Sequence, residues 1–348
     1  MKIYLVFIIN LIISSLSFAQ SEVVIKVGNV IGDAPNGRMP LHTGLLQKQI
    51  SEKIYKNTKG EINFEILTGK RPDIPVFIMP DMTAKGDVIQ ATIVLSLFLT
   101  RVPEMLIQSI PFLFESDEHS RRFMNSEIDN WLSKKVEKAY NVKVLGSFHH
   151  SNAVSVNSIT HILKVEDFNG KILNDFSESW QPLWQNIKPK EITYIGNNDA
   201  VNGKLTEDGV KTEVTIGMLQ NNHSQKLHER YKHLTLVPNM YNIYYTVLIN
   251  NDVWNKLSPF QKTGINRAIE EAQDASIAMH ADTMMWAIQL NQSEGVKIHF
   301  LSAEERENWK KEFNPKMVAS VISKSEDPEK TRDMIRKTKE LVKDLEWQ

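Results

Sequence analysis

Cysteine is absent from all 348 residues of the chain. The chain therefore forms no disulfide, carries no lipid on a cysteine, and offers no thiol nucleophile, thiolate metal site or iron–sulfur cluster. An excess of either charge is also lacking, because 41 basic and 42 acidic side chains give a net charge of −1. This balance lacks the basic footprint of a nucleic-acid-binding protein, so we expect no nucleic-acid partner.

Long apolar runs are lacking except at the N-terminus. Residues 3–16 are mostly apolar and follow a single lysine, and Ser17 and Ala19 occupy the −3 and −1 positions of a cleavage site. We interpret residues 1–19 as a secretory signal peptide, which predicts a periplasmic protein. A membrane anchor is the alternative reading, although the run is shorter than the roughly 20 residues that a spanning helix needs.

The composition of the whole chain, 41% hydrophobic and 24% charged, is that of a globular protein, and 348 residues are enough for two domains. The first 46 residues after Ser21 predict a strand, an amphipathic helix with Leu46, Ile50 and Ile54 at four-residue spacing, and a second strand. This order is typical of a parallel βαβ unit. Farther along, Ser258 with Gln261 predicts the capped start of a long helix.

The middle of the chain differs from its flanks, which predicts an inserted lobe. An apolar strand is expected at Val142–Phe148, and the following residues are rich in asparagine with short strands in "KIL" and "EITYI". The segment "YNIYYTVLINNDVW" then reads as a long strand that returns to the first lobe. We therefore expect lobe 1 at 20–148 with 238–285, and lobe 2 at 149–237 with part of the C-terminal helices 286–348.

Three segments carry a resemblance to a known family. They are "IPFLFESDEHSRRFM", "VEDFNGKI" and "YYTVLINNDVWNKLSPFQKTGINRAIEEA". In order and spacing the chain resembles the periplasmic solute receptors of TRAP transporters, the DctP-type substrate-binding proteins. The resemblance implies an α/β, two-lobed periplasmic binding protein fold, type II-like, in which each lobe is a small sheet flanked by helices and a long helix spans both.

The same resemblance implies a function. A small organic solute is enclosed by hinge closure between the lobes and delivered to TRAP transporter membrane subunits. No Ser/His/Asp order or paired-carboxylate pattern stands out, so we expect no enzyme activity, no cofactor and no metal. Two alternatives stay open: a ligand sensor for a membrane receptor, and a scaffold protein that has lost the ligand site.

One departure from the family concerns arginine. In such receptors the strand after a "DLKG"-like turn usually runs "KIR", and its arginine binds the carboxylate of the ligand through paired donors. Here that position falls on Asn174, or on Leu173 in an alignment one residue shorter, and no arginine occurs between Arg122 and Arg230. The sequence therefore predicts either a changed ligand or a lost site.

Several polar residues are candidates for ligand contacts. Asn174 and Asn152 are predicted to hydrogen-bond the ligand. One of the adjacent histidines His149 and His150 is predicted to face the cleft, and His149 is the candidate. The plainer readings are a strand-ending asparagine and a solvated histidine pair in a hinge. From the resemblance, Glu213 is a candidate acidic ligand to a cation beside the solute, and Arg71 is the candidate to hold an anion from lobe 1.

Aromatic residues are concentrated after Asn174, the position where the family usually has the arginine. Phe176 and Tyr241 are predicted to line the pocket, whereas Trp180 and Trp184, four residues apart, are predicted to share one helical face and to belong to the core. An aromatic cleft without arginine favours a neutral, zwitterionic or cationic ligand over a dicarboxylate.

Overall fold

The computed structural model describes residues 22–29, 41–67, 76–175, 177–194, 212–223 and 225–343. The predicted signal peptide, Arg71 and Phe176 lie outside the described residues. Within the described ranges, no helix combines the length and the apolar character that crossing a bilayer demands.

Strands and helices alternate along the described chain. The strands are β1 (Val23–Asn29), β2 (Ile62–Leu67), β3 (Ala91–Leu95), β4 (Val142–Ser158), β5 (Ile172–Asn174), β6 (Glu191–Thr193), β7 (Val214–Met218), β8 (His233–Asn250) and β9 (Lys297–Phe300). The helices are α1 (Leu41–Asn57), α2 (Met79–Lys85), α3 (Asp117–Phe123), α4 (Glu127–Tyr140), α5 (Leu227–Arg230), α6 (Asn251–Lys256), α7 (Pro259–Ser293), α8 (Ala303–Lys324) and α9 (Pro328–Leu341). Short 3₁₀ helices lie between them, among them Ser96–Phe98, Glu178–Trp184 and Leu219–Asn221.

These strands form one sheet in the order β2-β1-β3-β8-β4-β7-β5-β6, with β9 beside β8. Strand β1 is parallel to β2, with Val23 opposite Ile62, which confirms the predicted βαβ unit. Strand β5 is parallel to both β6 and β7. We call β2, β1, β3 and the adjoining ends of β8 and β4 the first half of the sheet, and the remainder the second half.

The two central strands run through both halves. Strand β4 has 17 residues and β8 has 18, and they pair antiparallel along most of their length. The strand predicted to end at Phe148 therefore continues to Ser158. The β4–β8 register is irregular between Val144 and Gly146 and twice between His149 and Ala153. The predicted lobe boundary falls at the start of this second irregular stretch, and the division into lobes stays a prediction.

Helix α7 connects the two halves. Its 35 residues give a length of about 50 Å, enough to pass the whole sheet. The predicted capping box is confirmed, since the Gln261 N–H donates to Ser258 Oγ and the Ser258 N–H donates to Gln261 Oε1. Near its start Glu271 pairs with Lys53 of α1 at 3.2 Å, and near its end Ala287 packs in a cluster of the second half. The expected helix spanning both halves is therefore present.

Aromatic rings attach the C-terminal helix α8 to the second half. Trp309 and Phe313 are fully buried, and they meet Phe168 and Trp184 with ring centroids 5.7 Å apart in each pair. Helix α9 instead packs against the first half, where Lys337 pairs with Glu127 of α4. The C-terminal helices thus divide between the halves.

One carboxyl group in the first half is buried. Asp129 of α4 accepts hydrogen bonds from Ser147 Oγ and from the Asn125 N–H, both at 3.1 Å. Burial outweighs these bonds and raises the pKa of Asp129 to about 6. An acid that holds its proton more tightly in the folded state adds stability at low pH, and this added stability is lost as the pH rises through the folded pKa.

We predict that this acid makes stability depend on pH. The contribution of Asp129 to the free energy of unfolding should fall by about 2 kcal/mol between pH 4 and pH 7, because the folded pKa lies some two units above the unfolded value. The Asp129→Asn variant carries no such charge and should lack this fall. Urea unfolding at four pH values measures both curves, and Asp282→Asn on the exposed face of α7 is the control. Parallel curves for the wild type and Asp129→Asn would refute the raised pKa.

Candidate functional site

The two halves of the sheet approach each other at the carboxyl ends of their parallel strands. Strand β3 ends at Leu95 and continues into Ser96–Phe98, while β5 ends at Asn174. The Ser179 hydroxyl, which follows β5, lies 3.4 Å from the Leu97 carbonyl and donates a hydrogen bond to it. Ligands of α/β sheets bind at this end of the strands, so the crevice here is the candidate site.

Two aromatic rings stack in this crevice. Trp180 and Tyr241 lie with centroids 3.7 Å apart and planes inclined by 22°, and neither side chain is exposed. The Tyr241 hydroxyl is buried and has no hydrogen-bond partner among the described residues. Burial, and then the negative charge of Asp175, raises the pKa of Tyr241 well above its usual value. Tyr241 therefore keeps its proton and offers a hydrogen-bond donor inside the crevice.

Asp175 places a buried carboxylate beside these rings. It follows Asn174 directly and is fully buried, and its Oδ2 accepts a hydrogen bond of 2.7 Å from Trp184 Nε1. Burial, and then the charges of Asp175 and Glu178, raises the pKa of Tyr194 to about 12. We call Asp175, Trp180, Trp184 and Tyr241 the aspartate–aromatic cluster. A carboxylate is costly to bury, which makes this cluster a functional candidate.

The two tryptophans do not share a face. The segment Glu178–Trp184 is a 3₁₀ helix, which repeats every three residues, so side chains four apart diverge. Trp184 packs on Phe168 and Phe313 of the core, whereas Trp180 turns to Tyr241. The prediction of a common face was wrong because it assumed an α-helix. The prediction that both tryptophans belong to the core is confirmed, since both lie in the main buried cluster together with Tyr241.

Asn174 lies at the base of the cluster with its side chain engaged. Its Nδ2 donates to Thr215 Oγ1 at 3.0 Å, and its Oδ1 accepts from Thr193 Oγ1 at 3.2 Å. These bonds tie the ends of β5, β6 and β7 together. Its role as a ligand contact stays a prediction, and Arg71 and Phe176 also stay predictions, outside the described residues.

Glu213 lies at the other end of the same strands. Its Oε2 accepts the Ile172 N–H at 3.0 Å, and its Oε1 is 3.7 Å from Lys171 Nζ. Both contacts are at the amino-terminal ends of β5 and β7. The structure therefore separates Glu213 from the aspartate–aromatic cluster, and its contact with a cation stays a prediction.

His149 and Asn152 belong to a network on the opposite face of the sheet. The His149 ring lies 4.8 Å from His280 of α7 and 5.8 Å from Tyr244, measured between centroids. Asp117 accepts from Asn152 Nδ2 at 2.9 Å and lies 3.2 Å from His280 Nδ1. The structure thus directs both candidates toward α3 and α7, away from Tyr241.

The charges in this network offset one another. Burial alone would raise the pKa of Asp117, but the hydrogen bond from His280, the charges of His280 and His149 and the bond from Asn152 outweigh it and lower the pKa. These partners favour the ionised form of Asp117, although the side chain is only partly exposed to solvent.

The sequence left open which of the two adjacent histidines faces the cleft, and His149 was the candidate chosen. Neighbouring residues of a strand face opposite ways, so His150 turns to the face that His149 avoids and lies 4.6 Å from the Tyr245 ring. Tyr241 and Tyr245 are four residues apart on β8 and therefore share that face. The alternation was visible in the sequence, but the irregular register around Ser151 decides which histidine faces the crevice.

Two groups of side chains in the described part have the composition of metal sites. They are Asp117 with His149 and His280, and His223 with His228 and Glu294; in each group the possible ligand atoms lie within 4.8 Å of one another. The carboxylate of the first group already has hydrogen-bonding partners in Asn152 and His280.

Comparison with known proteins defines the class. Residues 35–179 and 215–324 match the family described as bacterial extracellular solute-binding protein, family 7. These ranges cover most of the chain, and the chain belongs to this family. Its members are solute-binding proteins of transport systems, and the family is not an enzyme family.

The individual relatives match this chain either over a short segment or at low sequence identity. The C4-dicarboxylate-binding periplasmic protein DctP of Rhodobacter capsulatus is 30% identical over 96 residues, which span 27% of this chain and only 28% of that protein. A TRAP periplasmic solute binding protein from Desulfovibrio desulfuricans with bound sn-glycerol-3-phosphate superposes with a TM-score of 0.78 at 15% identity, covering 93% of this chain and 99% of that one. One from Sulfurospirillum deleyianum with bound succinate gives a TM-score of 0.72 at 19% identity, covering 93% and 100%. The two-lobed α/β fold is therefore confirmed.

Tyr241→Phe should stabilise the ligand-free protein by about 1 kcal/mol, because it removes a buried hydroxyl that has no partner among the described residues. Denaturant unfolding of the ligand-free protein measures the change. Tyr231→Phe makes the same change at a buried hydroxyl that does have a partner, Thr212 Oγ1 at 2.8 Å, and should bring no gain. A clear loss of stability in Tyr241→Phe would contradict the prediction and reveal a partner for the hydroxyl.

Proposed function

We propose that this protein captures a small organic solute in the crevice between the two halves and delivers it to the membrane subunits of a TRAP transporter. The aspartate–aromatic cluster at the carboxyl ends of the strands carries the proposal, because it gathers buried polar groups where the halves meet. Family membership supports solute capture, and the relatives with bound glycerol phosphate and succinate support a small organic ligand. Export through the N-terminal signal segment to the periplasm is part of the proposal.

Closure between the halves would retain the solute. The hydrogen bond from Ser179 to Leu97 joins the segment after β5 to the segment after β3 and brings the two walls together. Only a closed crevice lets one ligand touch both walls, so ligand binding and closure favour each other. The membrane subunits would then recognise the closed form.

The cluster also favours a class of ligand. A buried carboxylate beside the stacked rings of Trp180 and Tyr241 suits an ammonium group, which such a site attracts through charge and through the faces of the rings. A dicarboxylate would bring two further negative charges to Asp175. We therefore propose a cationic, zwitterionic or neutral ligand, in contrast to the anions bound by the relatives named above.

Thermal unfolding of the mature protein with matched compounds tests capture and class together. Choline, glycine betaine, glucose and succinate cover the four charge types, and a ligand present at 100-fold its Kd adds about 2.7 kcal/mol of stability. We expect the melting temperature to rise with an ammonium or neutral compound and not with succinate. A rise with succinate alone would overturn the ligand class and leave the receptor function intact. An unchanged melting temperature with every compound of a wide library would favour the scaffold alternative.

Charge removal tests the role of the carboxylate. Asp175→Asn should weaken binding of an ammonium ligand at least about tenfold, equal to about 1.4 kcal/mol, because the attraction to the buried charge is lost. Titration calorimetry measures the affinity. Glu178→Gln removes an exposed carboxylate three residues away and should leave the affinity within about twofold. Equal losses in both variants would contradict a specific contact with Asp175.

Delivery to the transporter is tested separately. The ligand-bound protein should bind detergent-solubilised TRAP membrane subunits more tightly than the ligand-free protein does, because only closure presents the recognised surface. Solute binding without any such preference would favour the sensor alternative.

A further inference from the structure

We propose that His223, His228 and Glu294 form a binding site for one divalent transition-metal cation of the zinc type. One nitrogen of each imidazole and one carboxylate oxygen lie within 4.8 Å of one another. The three residues share no member with the aspartate–aromatic cluster. The inference therefore stands whether or not the proposed solute function is correct.

Three separate elements bring these side chains together. His223 lies in the turn after Leu219–Asn221, His228 lies in α5, and Glu294 is the first residue after α7. A cation held by all three would join the end of the long helix to the segment that follows β7. Donors so distant in the chain meet only in the folded protein, so metal binding would add to the stability of the fold.

Buried hydrogen bonds fix the backbone beside His223. The neighbouring Asn222 is fully buried, donates from its Nδ2 to Asn157 Oδ1 at 2.7 Å, and accepts from Ser155 Oγ at 3.0 Å. Its carbonyl accepts the Leu227 N–H at 2.9 Å, one residue before His228. The turn and α5 are thus anchored to β4, and little further ordering is needed for ligation.

The position of Glu294 is fixed as well. Its N–H donates to the Leu290 carbonyl at 3.2 Å, and its own carbonyl accepts from Lys232 Nζ at 3.2 Å. The side chain itself is 44% exposed and that of His223 is 26% exposed, so both adjust without repacking the core. The backbone is held while the donor groups can move.

The imidazole rings of His223 and His228 are stacked. Their rings are nearly parallel, inclined by 7° with centroids 4.8 Å apart. His228 is only 8% exposed, and its Nδ1 is buried without a hydrogen-bond partner among the described residues. A buried ring nitrogen without a partner forfeits a hydrogen bond, and a cation or its bound water would restore one.

The donor types suit ligation, because neutral imidazole binds metals through a ring nitrogen and two imidazoles lie side by side here. Glu294 adds one negative charge toward neutralising the cation, and its present 3.9 Å separation from His223 Nε2 is too long for a hydrogen bond.

The donor set indicates the kind of cation. Imidazole nitrogens with one carboxylate suit zinc, copper, nickel and cobalt, whereas magnesium and calcium prefer oxygen donors. Zinc bonds of about 2.0–2.1 Å place donors about 3.3 Å apart in a tetrahedron, so the donor atoms must close in by at most about 1.5 Å. Water would occupy the remaining position on this partly exposed surface.

Calorimetric titration of the full mature chain, without a histidine tag and after chelator dialysis, tests the site with zinc chloride. We expect one equivalent to bind, with the affinity reduced at least tenfold in His223→Ala and in Glu294→Gln. His161→Ala is the matched control, because His161 also pairs with a second imidazole, His233, at 4.0 Å but belongs to neither metal-type group of the described residues. The zinc affinity of His161→Ala should equal that of the wild type.

Three outcomes would overturn the proposal. The first is no zinc binding by the wild type. The second is equal binding by the wild type, His223→Ala and Glu294→Gln. The third is loss of binding in Asp117→Asn with full binding in His223→Ala, which would assign the cation to the other group. The visible spectrum of bound cobalt gives a readout that does not depend on stability, since the absorption expected of nitrogen ligation should weaken in His223→Ala and persist in His161→Ala.

Discussion

The pairing of β4 with β8 is the constraint on which the remaining architecture depends. Each strand is long enough to pass from one half of the sheet to the other, and each supplies an inner edge to both halves. Parallel strands are added outward on both sides, so their carboxyl ends meet across the central pair. The same two strands send one face to the crevice and the other to α3 and α7. The positions of Tyr241, His150, His149 and Tyr244 all follow from that single pairing.

Local patterns in the sequence predicted the elements whose causes are local. The capping box at Ser258 depends on residues three apart, and the βαβ unit depends on alternation and helical spacing, so both were predictable. The length of β4 was not, because its polar second part is buried by strands distant in the chain. The direction of His149 and the 3₁₀ form of Glu178–Trp184 also depend on tertiary contacts, which override local preference.

The missing arginine has a structural counterpart. At that position Asn174 uses its amide to join three strands, and the next residue supplies a buried carboxylate in place of a cation. The sequence showed what had been lost but not that Asp175 would be buried among aromatic rings, because its neighbours Tyr241 and Trp184 come from elsewhere in the chain. The burial of Asp175 is therefore a property of the fold and not of one motif.

The aspartate–aromatic cluster has an optical consequence. The indole of Trp180 stacks on Tyr241, and the indole of Trp184 donates to Asp175, so both chromophores are coupled to the groups that a solute would contact. Indole emission shifts with the polarity and the charge around the ring. If a solute binds in the crevice as proposed, tryptophan emission would report its occupancy in the native protein without a dye or a label.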